Sequence, residues 1–224
     1  MDIISDFYKV AEESLEFIKD KHDESFLIKD GNNKSVLFSC PHAVKQLRKG
    51  NIKCAEPETG VIGIIINKFF QYPLFLKTSF QNDDANYDSS SAYKDELINY
   101  VKKNSVRCVI DLHMLSPSRK MDVNIGIANY RNFPNKKVID SILHIFDKNG
   151  FLTVTIDDPF GAFYPYTVSS YVHNKTGIDT IQIEMNSSLL VPDKNDSYGK
   201  TKIEQMTKTL VEIAEMLGGY YEAN

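Results

Sequence analysis

Apolar residues recur along this chain in two periods, and the switches between them predict its elements. From Ile3 to about Asp20, Phe7, Val10, Leu15 and Ile18 recur among acids and lysines, which predicts an amphipathic helix. The short runs Phe26-Leu27-Ile28 and Val36-Leu37-Phe38 read as strands, and Asp30-Gly31-Asn32-Asn33 between them predicts a hairpin. Ile62, Ile65, Ile66 and Phe69 mark one face of a helix with Thr59 as its N-cap. Leu74-Phe75-Leu76 is a further strand, Leu97, Ile98 and Val101 share a face of a helix from Tyr93, and Val109-Ile110-Asp111-Leu112 is a second buried strand. Then come a strand over 123–127, in which Gly126 allows close approach of a ligand or backbone, a helix over 138–148 and a strand over 152–156. Residues 180–185 alternate strictly, with Gln182 and Glu184 on one face and Ile181, Ile183 and Met185 on the other. Ile203, Met206, Leu210, Ile213 and Leu217 give the last helix, which Gly218-Gly219 should end. The remaining stretches, among them the basic 44–53 and the polar 82–88, read as loops. This order predicts an α/β fold, a three-layer sandwich with a central mixed sheet, and one hydrolase-type domain over 1–224.

Placing polar residues on this pattern brings out a metal site. His42 follows the strand 36–38, where ligands bind in open α/β sheets, and Glu56 stands at a helix entrance. Asp111-x-His113 ends another strand, and residues two apart on a strand share a side, so Asp111 can orient His113. Two histidines and a glutamate at strand ends and a helix start make the three-ligand set of a catalytic zinc, with a fourth position for water. Glu58, two residues from Glu56, is the alternative ligand. Glu184 is either a base beside that metal or part of a solvated edge strand. Arg48 in the basic segment is either solvated or faces an anionic substrate, since a guanidinium matches carboxylate geometry. Aromatics crowd 157–166, where Phe160 and Tyr164 are candidate walls of a pocket. A cysteine hydrolase pairing Cys40 with His42 is a rival without an evident third group to orient the base.

Pro41-His42, Arg48-x-Gly50-x-x-Lys53, Glu56-x-x-Thr59-Gly60, Asp111-x-His113 and Gln182-Ile183-Glu184, taken in order, resemble the N-formylglutamate amidohydrolase family. That family is similar to zinc carboxypeptidases and to phage poly-γ-glutamate hydrolases, and the resemblance spans roughly residues 35 to 190. It implies a zinc-carboxypeptidase-like fold and a zinc-dependent hydrolase of an N-acyl amino acid or peptide-like amide bond. It implies His42, Glu56 and His113 as zinc ligands and Glu184 as general base. It also implies Asp84 and Asn86 lining the site, and Arg119 beside Arg48 as a holder of the oxyanion or of a substrate carboxylate, with Gln182 facing substrate. The segment 186–190 lacks the arginine that relatives place soon after this glutamate, so a catalytically silent ligand-binding domain of the same fold is the alternative.

Composition narrows the classes that remain. Of 224 residues, 42% are hydrophobic and 25% charged, with a net charge of −4, which leaves no basic footprint for nucleic acid and no membrane surface patch. The first residues lack a basic and then apolar leader pattern, so a cytoplasmic location is expected. Three cysteines without Cys-x-x-Cys spacing argue against a disulfide framework and against a thiolate zinc site.

Overall fold

In the computed structural model, residues 3–190 and 197–223 are described, with side chains from 7 to 190 and from 202 to 223. The strands are β1 (Phe26–Lys29), β2 (Val36–Cys40), β3 (Gln46–Arg48), β4 (Asn51–Lys53), β5 (Leu74–Lys77), β6 (Cys108–Leu115), β7 (Val123–Gly126), β8 (Val154–Ile156) and β9 (Asp179–Asn186). The helices are α1 (Ile3–Lys19), α2 (Pro57–Phe70), α3 (Ala92–Lys103), α4 (Lys136–Lys148), α5 (Val168–Thr176), the short α6 (Ser187–Leu190) and α7 (Ser197–Glu222). Seven strands form one sheet in the order β1-β5-β2-β6-β9-β7-β8. It is mixed: β5, β2, β6 and β9 run parallel, while β1 and the β7–β8 pair run against them. Among the described residues no helix is long and apolar enough to cross a membrane.

The two faces of the sheet explain both the layering and the place of the site. One face presents Phe38, Cys40, Ile110, Leu112, Ile181 and Ile183, apolar from end to end, to the cluster formed with α1, α2, α4 and α7. Leu37, Phe75 and Val109 point the other way, into a smaller cluster with α3 and α5. On that second face the strands turn polar toward their carboxyl ends, through Ser39 on β2, Asp111 and His113 on β6, and Gln182 and Glu184 on β9. The helices cover its apolar half and leave the polar half to form a cleft. The expected three-layer α/β sandwich is therefore what forms.

Several local expectations are corrected. β1 and β2 do not form a hairpin; β1 pairs antiparallel with β5, and β2 lies between β5 and β6. β2 is buried along its whole length and feeds both cores, so it takes an interior position, and half-buried β1 takes the edge. The segment 30–33 crosses the entrance of β5, where Asn33 N–H donates to Gln71 O and Tyr100 Oη donates to Asp30 Oδ1. The basic stretch 44–53 is a second, two-stranded sheet, β3–β4, turned at Lys49 and Gly50, both with positive φ. Residues 168–176 are helical, closed by Gly177 in the left-handed region. α7 runs through Gly218-Gly219 because Tyr221 beyond them bonds Asp179 and Tyr220 bonds Asn135. Strand β9 is buried between β6 and β7, not a solvated edge.

Gly126 carries a first prediction. A Cβ there would lie 2.6 Å from Phe160 O, a backbone atom that cannot swing aside. Gly126→Ala is expected to cost about 1–3 kcal/mol by overpacking, read as a lower melting temperature. An unchanged melting temperature would show that the loop at Phe160 yields freely.

Candidate metal centre and active-site cleft

The centre begins with the way α2 starts. Pro57 occupies the first helical turn, so Glu56, not Thr59, is the N-cap, and Thr59 Oγ1 donates back to Glu56 O at 2.7 Å. The Glu56 side chain makes no capping bond, which frees its carboxylate to turn toward the sheet. Oε2 accepts Met114 N–H at 3.0 Å, and Oε1 lies 3.2 Å from His42 Nδ1. His42, two residues past β2, and His113 on β6 face each other, with 3.2 Å between their Nδ1 atoms; His113 Nδ1 is 3.5 Å from Glu56 Oε2.

Each imidazole is held at its far nitrogen by a buried carboxylate. His42 Nε2 is 2.9 Å from Asp84 Oδ1, and His113 Nε2 is 3.0 Å from Asp111 Oδ2. Asp111 Oδ1 in turn accepts Ser39 Oγ at 2.8 Å, and Ser39 meets the fully buried Tyr93 hydroxyl. Carboxylates at both Nε2 atoms favour the N–H there, which leaves both Nδ1 lone pairs aimed at one point shared with Glu56. Three electron-pair donors converging in this way repel unless a proton or a cation sits among them. A tetrahedral zinc with bonds of about 2.0–2.2 Å holds its ligand atoms roughly 3.3–3.6 Å apart, close to the separations found here. Glu58 is not among the converging groups.

The electrostatics agree with a site built for positive charge. Burial opposes protonation of both histidines, yet Glu56 and Asp84 raise His42, and Asp111, with help from Glu56 and Glu184, holds His113 well above its ordinary value. Burial works against the Glu56 and Asp84 carboxylates too, but the histidines outweigh it, taking Glu56 down to about 2 and, with Arg48, Asp84 lower still. Glu184 differs. Burial, opposed by His113 and reinforced by Glu56, pushes it up to about 7.

Around this centre lies a cleft of about 620 Å³ lined by His42, Glu56, His113, Gln182 and Glu184. Glu184 stands opposite His113 in the β6–β9 register and accepts Gln182 Nε2 on Oε1 at 3.0 Å. Gln182 Oε1 is buried and, among the described residues, has no partner. Arg48 lines the cleft; its Nε donates to Asp84 Oδ2 at 2.7 Å, so one carboxylate fixes both His42 and this guanidinium. Asn86 also lines the cleft, with its Oδ1 accepting Val168 N–H at the start of α5. Arg119 is outside the lining, exposed, with its guanidinium 5.6 Å from the Phe160 ring centroid. Phe160 and Tyr164 are in the wall, joined by Phe163 and Tyr166, for which only aromatic density was a signal, and by Tyr87 from the polar 82–88 loop, for which there was none. Lys94 had no signal: its Nζ donates to Asp88 O and Tyr166 O and so ties together the two loops that border the cleft. Cys40 is buried on the apolar face, its Sγ bonded to Thr59 O, and burial with the nearby Asp111 and Glu56 charges holds the thiol protonated, which removes the cysteine-nucleophile reading.

Comparison with known proteins bears on the fold. No family model and no curated protein matches this sequence. Among solved structures, N-formylglutamate amidohydrolase from Ralstonia eutropha JMP134 is similar at a TM-score of 0.54 and 11% identity, over 86% of this chain and 98% of that one. A bacteriophage poly-γ-glutamate hydrolase is similar at 0.53 and 16% identity, over 95% and 97%. A metallo-carboxypeptidase from Pseudomonas aeruginosa is similar at 0.52 and 10% identity, over 94% and 68%. The chain has their fold. At such identities, the roles of individual residues rest on the geometry above.

Two substitutions separate the neighbouring glutamates. Glu56→Gln is expected to weaken zinc binding at least ten- to a hundredfold, an order set by what even outer-shell partners contribute, while Glu58→Gln leaves it nearly intact. Titration against a chelating indicator reads both, and the reverse order would move the ligand to Glu58.

Proposed function

We propose that this protein is a cytoplasmic, single-domain, zinc-dependent hydrolase that cleaves the amide bond of an N-acyl amino acid or a small peptide. The convergence of His42 Nδ1, His113 Nδ1 and Glu56 on one point, beside the buried Glu184, carries this reading. A zinc held by those three residues supplies Lewis-acid polarisation of the scissile carbonyl and a lower pKa for water. Asp84 and Asp111 hold each ring through Nε2 and so aim both Nδ1 atoms inward. Glu184 takes a proton from the attacking water and passes it to the leaving nitrogen, a role suited to a carboxyl whose pKa is near neutrality. Arg48, with Nε committed to Asp84, offers its two terminal nitrogens to a substrate carboxylate. Arg119 stands at the rim, where it can meet the substrate on entry.

The test is metal analysis combined with a screen of N-acyl amino acids and γ-glutamyl peptides with and without zinc. About one zinc per chain and hydrolysis only in its presence are expected. A zinc-loaded protein that binds such compounds but turns none over is instead the silent ligand-binding domain.

A further inference from the structure

Among the described residues six large apolar side chains are exposed, and three of them, Phe160 at 39%, Phe163 at 42% and Tyr164 at 62%, stand within five residues on the cleft wall. A loop that merely seals a core edge turns its rings inward. Here the backbone is fastened from beneath and the rings face out. The fully buried Asn124 accepts Phe160 N–H on Oδ1 at 3.1 Å and donates through Nδ2 to Asp158 O at 3.1 Å. Ala128 N–H donates to Gly161 O at 2.7 Å, Ser170 Oγ to Ala162 O at 2.5 Å and Arg131 Nη2 to Phe163 O at 3.1 Å. Tyr164 stacks on Tyr166 with centroids 5.1 Å apart and planes within 5°, and Tyr166 meets Tyr87 at 5.5 Å. The Arg48 guanidinium lies over Tyr87 at 5.1 Å. A row of rings thus runs from the loop to the proposed carboxylate anchor, and at the cleft floor the Gln182 Oε1 acceptor has no donor among the described residues.

We propose that the cleft selects N-acyl amino acids or short peptides whose amine-side residue carries a large aromatic side chain. This inference rests on the hydrolase reading and deepens it. The substrate ring packs on Phe160 and Tyr164, its carboxylate meets Arg48, and a substrate N–H satisfies Gln182 Oε1. A platform fixed before binding loses little conformational freedom on contact, so most of the burial gain appears as selectivity, roughly ten- to a hundredfold for one aromatic side chain over alanine.

The test compares N-formyl-phenylalanine, N-formyl-alanine and N-formyl-glutamate in two assays. One is kcat/KM of the zinc-loaded protein, and the other is calorimetric affinity for zinc-loaded Glu184→Gln, which needs no turnover. Phenylalanine is expected to lead both other compounds by at least about tenfold in both assays. In the double variant Phe160→Ser/Tyr164→Ser, whose side chains are exposed and whose melting temperature is measured alongside, the phenylalanine-to-alanine ratio should fall to about threefold or less. A glutamate preference, or a ratio unmoved by the double variant, overturns the aromatic selectivity and leaves the hydrolase reading standing. Preferential phenylalanine binding without hydrolysis of any compound supports the selectivity and overturns the hydrolase reading. Absence of both binding and hydrolysis overturns the two together.

Discussion

Glu184→Gln should keep its zinc and its affinity for substrate and lose about 10²–10⁴-fold in kcat, the range contributed by a general base. The position makes this a demanding test. Glu184 is 7% exposed, on an interior strand with His113 across one neighbour and Asn124 across the other, so its carboxylate faces the cleft and not bulk water. Gln182 occupies Oε1 and leaves Oε2 available to a water. Glutamine preserves the shape and most hydrogen bonding of the side chain but cannot take a proton. The loss should therefore fall on kcat with KM little changed, the signature of an interaction made in the transition state. Zinc loss from the variant would make Glu184 a ligand. Unchanged turnover would remove it from the mechanism.

The sheet and the centre were legible in the sequence to different depths. Strands β5 and β6 follow from their short apolar runs, which feed both cores, and β7, β9 and the main helices from periodicity, because each puts an apolar stripe against a core. Strand partners do not follow, since pairing depends on which strands are buried on both faces. Val36-Leu37-Phe38 and Phe26-Leu27-Ile28 look alike as strings, yet only the former is wholly buried. Asp111-x-His113 could be read because both residues lie on one strand. Asp84 was placed near the site only through family resemblance, for it reaches His42 from a loop 42 residues away, and nothing local in 82–88 marks which aspartate turns inward. Lys94 was invisible for the same reason: a lysine in an amphipathic helix reads as solvent-facing, and only the tertiary fold buries it against two loop carbonyls. The aromatic loop announced itself by composition, whereas its anchorage on Asn124 and Gly126 needed three dimensions.

His113→Ala should reduce zinc from about one per chain to near zero, because a catalytic set of only three protein donors cannot hold the ion tightly with two. The substitution also strips the buried Asp111 of its cationic partner, leaving it, among the described residues, only the Ser39 hydroxyl, and removing one member of a buried ion pair can cost about 3–5 kcal/mol. Asp111→Asn is the companion that separates metal loss from unfolding. It keeps His113 and an acceptor at its Nε2 but weakens the partner, so zinc affinity should fall about ten- to a hundredfold in a folded protein. The sign of the pH dependence follows from the raised histidines. With His42 and His113 protonated more readily than usual in the metal-free protein, zinc must displace protons, so affinity falls as pH is lowered and binding releases protons. Glu56, held down to about 2, stays charged throughout and adds nothing to that dependence. Zinc titrations at pH 8 and pH 6, each in two buffers of different ionisation enthalpy, read both effects. Full zinc retention by His113→Ala, or equal affinity at the two pH values without proton release, would place the metal elsewhere and leave the converging donors as a proton-sharing cluster.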